Sequence, residues 1–255
     1  MIDTIKHVIS RVKAYKNWYS IVWPMTRLLS RERILETRAG PMMYVRNIFG
    51  PDFVVVHEMF FRDDYGVREL HLNVSEPVIV DAGGNIGAFS LLALATYPNA
   101  RILCYEPEAS NLDIIRKNVR LNAAEKHITC FKEAIDNTTG MKTFYLSQAE
   151  YAHSLEKSAD SRHAGEISVA TTTIERIMQD NHIKRLDLLK LDIEGTEYSV
   201  LRNLPLELYP RIKNIVLEIH DHPSEKKEDL VRFLAEHGYA VAQSGTNPHV
   251  FLAQH

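Results

Sequence analysis

From residue 78 onward, short apolar runs alternate with longer segments whose apolar residues recur every three or four positions. Short apolar runs bounded by Gly, Pro or Asn are typical of buried strands, and the longer spacing is typical of amphipathic helices. The predicted strands cover 78–81, 101–105, 128–132, 186–191, 213–219, 239–243 and 249–253. The predicted helices cover 86–96, 109–122, 173–182, 196–203 and 224–237.

This alternation predicts a doubly wound α/β fold, in which helices cover both faces of a mostly parallel seven-stranded sheet. The last strand follows its predecessor after only a few residues, so it must run antiparallel. A hairpin is predicted around 137–140. Residues 147–166 are rich in Ser, Ala, His and Glu, which indicates a mobile loop.

The N-terminal region carries two further patterns. Apolar residues from Ile5 to Val22 recur at steps of three and four until Pro24, which predicts an amphipathic helix over 2–23. Amphipathic helices usually pack on protein, so this helix is expected to pack on its own domain or on a second subunit. Its basic and aromatic faces would alternatively suit contact with an anionic membrane surface. Alternation at 43–45 and 53–56, around a turn at 50–51, predicts a small antiparallel ribbon. We therefore divide the chain into an extension, 1–50, and an α/β domain, 51–255.

Composition narrows the class of protein. The 255 residues are 45% hydrophobic and 25% charged, which suits one large α/β domain with an additional segment. The net charge of −3 gives no electrostatic case for a nucleic-acid partner. Cys104 and Cys130 provide neither a disulfide framework nor a cysteine metal cluster. With no 18-residue apolar run and no signal-peptide pattern, a cytoplasmic location is expected.

The strand at 78–81 ends in Asp81 and leads into a turn that contains Gly83, Gly84 and Gly87. Glycines let a turn's backbone approach a ligand closely. Asn85 and the alanine at position 88 stand where the dinucleotide fingerprint needs glycines, so a pyrophosphate cradle is not expected. The charge of Asp81 beside the turn suits a ligand that carries an ammonium or a sulfonium.

A second acid follows at the end of the next predicted strand. Glu106 lies 25 residues after Asp81, close to the spacing at which an acid holds a ribose diol in doubly wound sheets. The alternative is that Glu106 caps the helix that starts near Ser110. Together with the glycine turn, the ribose interpretation is favoured.

The string Lys190-x-Asp192-x-Glu194-Gly-x-Glu197 resembles the signature of the FkbM type of class I S-adenosylmethionine-dependent methyltransferases. The resemblance runs from about residue 58 to 251 and leaves residues 1–50 largely outside. Further similar stretches lie at 58–65, 153–155, 216–220 and 238–239.

The resemblance implies a Rossmann-like fold, S-adenosylmethionine as cofactor and transfer of its methyl group to a hydroxyl of a sugar, glycoside or polyhydroxylated natural product. It implies that the turn from Gly83 to Gly87 faces the methionine part, that Glu106 faces the ribose, and that Glu133 and Ala134 face the adenine.

Asp81, Glu106, Asp192 and the run 218–221 all fall at carboxyl ends of predicted strands, where ligands bind in such sheets. A hydroxyl acceptor needs a base or a metal ion to weaken its proton. Asp192, His220 and Asp221 would suit Mg²⁺ or Mn²⁺. In the metal-free alternative, His220 is the general base, and Asp192 or Glu194 holds its ring.

Two other functions stay open at this stage. One is a catalytically silent cofactor-binding partner or scaffold protein of the same fold. The other is N-methylation of a peptide or amine. The expected partner is a small-molecule or glycan acceptor, with a homo-oligomer or a peripheral membrane contact through the N-terminal helix as possible additions.

Overall fold

A computed structural model describes residues 12–19, 32–147, 163–220, 222, 224–245 and 247–255. Within these ranges the strands are β1 (Arg33–Glu36), β2 (Met42–Val45), β3 (Val78–Ala82), β4 (Arg101–Tyr105), β5 (Ile128–Phe131), β6 (Ala134–Ile135), β7 (Gly140–Ser147), β8 (His163–Thr172), β9 (Leu188–Leu191), β10 (Asn214–Glu218), β11 (Ala240–Gln243) and β12 (Val250–Gln254). The α-helices are α1 (Pro51–His57), α2 (Ala88–Thr96), α3 (Ala109–Leu121), α4 (Ile174–Asp180), α5 (Glu197–Arg202) and α6 (Lys227–Glu236). A π-helical turn covers Glu58–Arg62, and a 3₁₀ helix covers Leu206–Arg211.

The main sheet has seven strands in the order β11-β12-β10-β9-β3-β4-β5. β3 pairs in parallel with β4 and β9, and β10 pairs in parallel with β9. β12 runs antiparallel to both β10 and β11, as the short connection before it predicts. The doubly wound fold and its antiparallel last strand are therefore confirmed.

Helices cover both faces of this sheet because side chains alternate along each strand. Ile79 of β3 lies in the core on one face, and Val80 lies in the core on the other. The first core includes residues of α2 and α3, and the second includes residues of α4, α5 and α6. Parallel strands whose two faces are both buried read as continuous apolar runs, which explains why these strands were predictable.

The ribbon prediction is wrong for its second strand. β2 pairs with β1, whereas Phe53–Val56 lies within α1. Pro51 occupies the start of this helix, a position that suits proline, and the acidic Asp52 lies in the first turn. The buried residues Val56, Met59 and Phe60 follow a helical spacing, so burial outweighs the strand preference of three consecutive valines.

The hairpin prediction is also wrong in its pairing. The turn after β6 leads into β7, but β8 lies between them in a three-stranded sheet of order β6-β8-β7. Part of the predicted loop 147–166 is therefore strand, because β8 begins at His163. Residues 148–162 lie outside the described part of the chain.

Most of the predicted N-terminal helix also lies outside the described residues, and its contacts with a membrane or a second subunit stay predictions. In the described part, Tyr15 is fully buried, and its ring lies 5.6 Å from that of Phe53. Tyr19 is 61% exposed. Residues on both sides of position 50 share one apolar core. No helix among the described residues is long and apolar enough to cross a membrane.

Candidate active site

The glycine turn after β3 is fixed by the two neighbouring strands. The backbone N–H groups of Gly83 and Gly84 donate to the carbonyl of Tyr105, at 3.1 and 2.9 Å. Gly83 has φ of +82°, and a Cβ at this position would lie 1.9 Å from the carbonyl oxygen of Asp192. Glycine is thus required at position 83 by the approach of Asp192, independently of any ligand.

Asp81 lies beneath this turn and is fully buried. It accepts a hydrogen bond from Ser90 at 2.6 Å, and the ammonium of Lys190 lies 3.4 Å from its other oxygen. Lys190 also donates to the carbonyls of Ala82 and Gly83. Burial by itself lowers the pKa of Lys190, but the charges of Asp192 and Asp81 outweigh burial and raise it. The structure therefore pairs the charge of Asp81 with Lys190 inside the protein.

Glu106 lies at the end of β4 and lines a pocket beside the glycine turn. Its two carboxylate oxygens accept from the backbone N–H groups of Asn85 and Glu108, at 2.8 and 2.9 Å. Burial raises the pKa of Glu106 to about 7. Each oxygen keeps a second lone pair for a ligand. The cap of α3 is Glu108, whose side chain accepts from the N–H groups of Ser110 and Asn111.

The pocket beside Glu106 has about 560 Å³ of empty space, including part that is open to solvent. Its walls combine apolar and polar side chains from the ends of several strands: Gly83, Asn85, Tyr105, Glu106, Pro107, Asn111, Ala134, Ile135, Phe144, Asp192, Ile193, Glu194 and Thr196. We call it the cofactor pocket, because the resemblance implies that Glu106 and Ala134 face the cofactor. Ala134 lines this pocket, whereas Glu133 lines a separate pocket together with Phe131 and Arg176. The adenine contact of both residues stays a prediction.

The signature segment after β9 forms a tight turn around Glu197. This carboxylate is fully buried and accepts from the backbone N–H groups of Ile193 and Gly195, both at 3.0 Å. Glu194 has φ of +56°, a left-handed conformation that glutamate rarely adopts. Such strain persists where the surrounding structure imposes it, and it is frequent at functional sites.

His220 follows β10 and faces this turn. Its Nδ1 lies 2.9 Å from Glu197, and its Nε2 lies 3.4 Å from Glu194 and 3.9 Å from Asp192. Burial lowers the pKa of His220, but the hydrogen bond and charge of Glu197, followed by the charges of Glu194 and Asp192, raise it to about 10. The ring is thus held by Glu197 and is protonated at neutral pH.

The acids around His220 differ in their protonation. Burial raises the pKa of Glu194 to about 8, with added repulsion from neighbouring carboxylates. Burial by itself raises the pKa of Asp192, but the positive charges of Lys190 and His220 outweigh burial and lower that pKa overall. At neutral pH Asp192 is therefore the anionic member of this pair.

Tyr65 joins two strand ends from outside the sheet. Its hydroxyl lies 2.8 Å from a carboxylate oxygen of Asp192 and 2.9 Å from one of Glu218. Asn247 donates to the other oxygen of Glu218 at 3.0 Å. Since a hydroxyl carries one proton, it donates to only one of the two acids. Burial, together with the charge of Asp192, raises the pKa of Glu218, so Asp192 is the preferred acceptor.

A second, larger cavity, with about 1260 Å³ of empty space including part that is open to solvent, lies beside the cofactor pocket. Its walls come from α1, the π-helical turn and the strand ends. We call it the acceptor cavity, after the role that we propose for it below. The two spaces share four lining residues: Gly83, Asn85, Asp192 and Glu194. They therefore meet beside the glycine turn and the signature turn.

A possible metal-ligand set also lies here. One ligand atom from each of Asp192, Glu218 and His220 falls within 4.8 Å of the others. The third predicted ligand, Asp221, lies outside the described residues. Glu218 is the acid that the structure brings to Asp192 and His220.

The structure thus brings together Asp192, Glu194 and His220, which the sequence indicated, and adds residues to which the sequence assigned no role. Glu197 fixes the histidine ring, Lys190 balances two acids, and Tyr65 bridges two strand ends. Each belongs to a stretch that carries the family resemblance, which is the signal that could have revealed it. Phe144 and Ile135 of the cofactor pocket had no such signal.

The strand order, with β12 inserted antiparallel between β10 and β11, and the glycine turn after β3 define a class I, Rossmann-like methyltransferase. The sequence profile of the Methyltransferase FkbM domain matches residues 81–241. This is more than half of the chain, and the protein belongs to the FkbM methyltransferase family.

Several curated relatives are named as methyltransferases. The chain is 28% identical over 218 residues to Methyltransferase sdnD of Sordaria araneosa, covering 74% of this chain and 82% of the relative. It is 26% identical over 193 residues to 31-O-demethyl-FK506 methyltransferase FkbM of Streptomyces tacrolimicus, covering 64% and 73%. Among solved structures, the METTL16 MTase domain superimposes with a TM-score of 0.50 at 14% identity, covering 88% of this chain and 84% of that one. That likeness shows the fold.

Proposed function

We propose that this protein transfers a methyl group from S-adenosylmethionine to a hydroxyl of a sugar, glycoside or polyhydroxylated natural product. One observation carries the proposal: the cofactor pocket and the acceptor cavity meet at Asp192 and Glu194, in a family of methyltransferases. One of the curated relatives, 2-O-methyltransferase NoeI of Sinorhizobium fredii, is an O-methyltransferase by name, at 24% identity over 144 residues and 51% of this chain.

The residues of the cofactor pocket fit S-adenosylmethionine. Glu106 has free lone pairs for the two ribose hydroxyls, and Ala134 with the apolar side chains of Ile135 and Phe144 offers a surface for the adenine. Asn85 and the glycine turn would face the methionine part. When bound, the cofactor supplies an electrophilic methyl group on a sulfonium.

Little covalent assistance is needed for such a transfer, so the protein contributes mainly by positioning the acceptor. Asp192 is anionic and lines the acceptor cavity, which suits it to accept the hydrogen bond, and then the proton, of the acceptor hydroxyl. His220 is protonated before the reaction, so its proposed role is to hold the acids in place by its charge. In the metal-free scheme we therefore propose Asp192 as the general base, in place of His220, which the sequence suggested.

A divalent cation is the alternative means of activating the hydroxyl. We propose Asp192, Glu218 and His220 as its ligands, since two carboxylates and an imidazole suit Mg²⁺ or Mn²⁺. Glu197 would then orient the imidazole, as acids commonly do for metal-binding histidines. When bound, the cation would lower the pKa of the acceptor hydroxyl.

The proposal is tested with methyl-labelled S-adenosylmethionine and pools of sugar nucleotides, glycolipids, purified glycans and amines. Transfer of label to a hydroxyl is the expected result. Label on a nitrogen would favour N-methylation. Tight binding of S-adenosylhomocysteine without transfer to any pool would favour a catalytically silent cofactor-binding protein. A cytoplasmic location and the absence of a nucleic-acid partner stay predictions.

A further inference from the structure

Acidic side chains outnumber basic ones on the walls of the acceptor cavity. Five carboxylate side chains line it, against one lysine and one histidine: Glu58, Asp64, Asp192, Glu194 and Glu218, with Lys190 and His220. Because the pKa of Glu194 is raised to about 8, this side chain is largely protonated at neutral pH, which leaves four carboxylates against two cations. The walls therefore keep a net negative charge, and low-dielectric surroundings strengthen its field.

The two cations of the cavity are already engaged by protein groups. Lys190 is 2% exposed, and its ammonium contacts Asp81, Asp192 and two backbone carbonyls. The ring of His220 lies between Glu197 and Glu194. Neither is available to an anionic group on an incoming molecule, which would meet carboxylates instead.

Two of the acids lack a strong cationic partner. Among the described residues, Glu218 has no lysine, arginine or histidine within ion-pair distance, and its contacts are the hydroxyl of Tyr65 and the amide of Asn247. Glu58 lies 3.8 Å from Arg62, and this arginine is closer to Asp64, at 3.1 Å. Both Glu58 and Glu218 line the acceptor cavity, so the two carboxylates act on the same space.

Glu58 occupies a special place in the chain. It begins the π-helical turn, an arrangement often found at functional sites. Glu58 lines the acceptor cavity but not the cofactor pocket. The wall that contains Glu58 is therefore suited to contact the acceptor and not the cofactor.

We propose that the acceptor carries a cationic group, such as an amine protonated at neutral pH, and that Glu58 contributes to its selection. This inference rests on the proposed function, since it concerns the acceptor of that reaction. A carboxylated or phosphorylated acceptor would be repelled, and a neutral polyol would bind more weakly than its amino counterpart.

The experiment compares three sugars of similar size: glucosamine, glucose and glucuronate. Their binding to the wild-type protein, saturated with S-adenosylhomocysteine and kept in EDTA, is measured by ligand-observed NMR. We expect glucosamine to bind on the order of 10-fold more tightly than glucose, glucuronate to bind least, and the preference to weaken with added salt. Glu58→Gln should reduce the preference for glucosamine by ~3–10-fold. The exposed Glu125→Gln is the matched control and should leave it unchanged.

No detectable glucosamine binding, equal binding of the three sugars, or an unchanged preference in Glu58→Gln would overturn the inference. Glucuronate binding that appears only when Mg²⁺ replaces EDTA would also overturn it, because the acids would then serve a metal ion. Binding of S-adenosylhomocysteine is measured separately by calorimetry. If S-adenosylhomocysteine does not bind, the proposed function is rejected. The comparison of the three sugars on the protein without S-adenosylhomocysteine would still measure the charge selectivity of the cavity.

Discussion

Glu197 and His220 are joined by a 2.9 Å contact between a carboxylate oxygen and Nδ1 of the ring. The same carboxylate accepts two backbone N–H groups of the signature turn, from Ile193 and Gly195. One buried acid thus fixes both the turn that carries Glu194 and the histidine that faces it. The remaining ring nitrogen is directed toward Glu194 and Asp192.

Glu197→Gln tests this relationship. The variant keeps the shape of the side chain but removes the charge that raises the pKa of His220. We expect the pKa of His220 in NMR titration to fall and turnover to drop by ~10–100-fold, the usual effect of removing such an orienting acid. The exposed Glu207→Gln is the control. An unchanged histidine pKa would show that Glu197 does not govern the ring.

Asp192→Asn should lower turnover by ~10²–10⁴-fold, the typical effect of losing a positioned acid–base group. His220→Ala should also lower turnover, because it removes the charge that holds the acids in place or, in the metal scheme, a ligand. The affinity for S-adenosylhomocysteine should change little in calorimetry, because asparagine keeps the shape of Asp192 on the wall of the cofactor pocket and His220 does not line that pocket. EDTA treatment followed by Mg²⁺ separates the two schemes, since only the metal scheme predicts reversible loss of activity. If both variants keep full activity, the acceptor is activated elsewhere.

Glu106→Ala should weaken binding of S-adenosylhomocysteine by ~1.5–3 kcal/mol, the scale of a hydrogen bond to a charged group. Glu133→Ala is the matched control, because Glu133 follows the adjacent strand but lines a different pocket. Calorimetric titration of both variants measures the difference. Equal affinities would remove Glu106 from the cofactor site, and a loss confined to Glu133→Ala would restore the predicted adenine contact of that residue.

Gly83→Ala should destabilise the fold itself. The added Cβ would lie 1.9 Å from the carbonyl oxygen of Asp192, and φ is +82°. Gly40→Ala is the control for backbone conformation alone, since φ is +122° and no atom lies within 4 Å of the added carbon. We expect thermal denaturation to show a much larger loss of stability for Gly83→Ala than for Gly40→Ala. The loss for Gly83→Ala should exceed the ~1–3 kcal/mol that left-handed backbone strain alone costs. Similar losses would mean that the turn moves to accommodate the methyl group.

The histidine should make stability depend on pH in the metal-free protein. The pKa of His220 is raised from 6.5 to about 10 in the folded state. Its contribution to the free energy of unfolding is therefore fully present below pH 6.5 and is lost as the pH rises through about 10. In urea titrations with EDTA, the free energy of unfolding should fall between pH 7 and 10 in both proteins. The fall should be on the order of 1–3 kcal/mol larger for the wild type than for His220→Ala. Parallel losses in the two proteins would contradict the raised pKa.

The sequence predicted the main sheet well because its information is local. The apolar run at 78–81 and the helical spacing that follows it are set by neighbouring residues, and the structure has β3 and α2 there. Prediction failed for Phe53–Val56, where strand-forming valines lie in a helix. There the partners of the apolar residues, which lie far away in the chain, decided the conformation.

Two sequence stretches, the signature at 190–197 and the run at 216–220, were enough to indicate the family and the residues Asp192, Glu194 and His220. What each of these residues contacts follows from the fold of the whole chain. Tyr65 reaches Asp192 across 127 residues, and Lys190 pairs with Asp81 across two adjacent strands. Such contacts depend on the order and register of the strands, which bring distant residues within hydrogen-bond distance. The charge of each group, and therefore its chemistry, follows from those contacts and from burial.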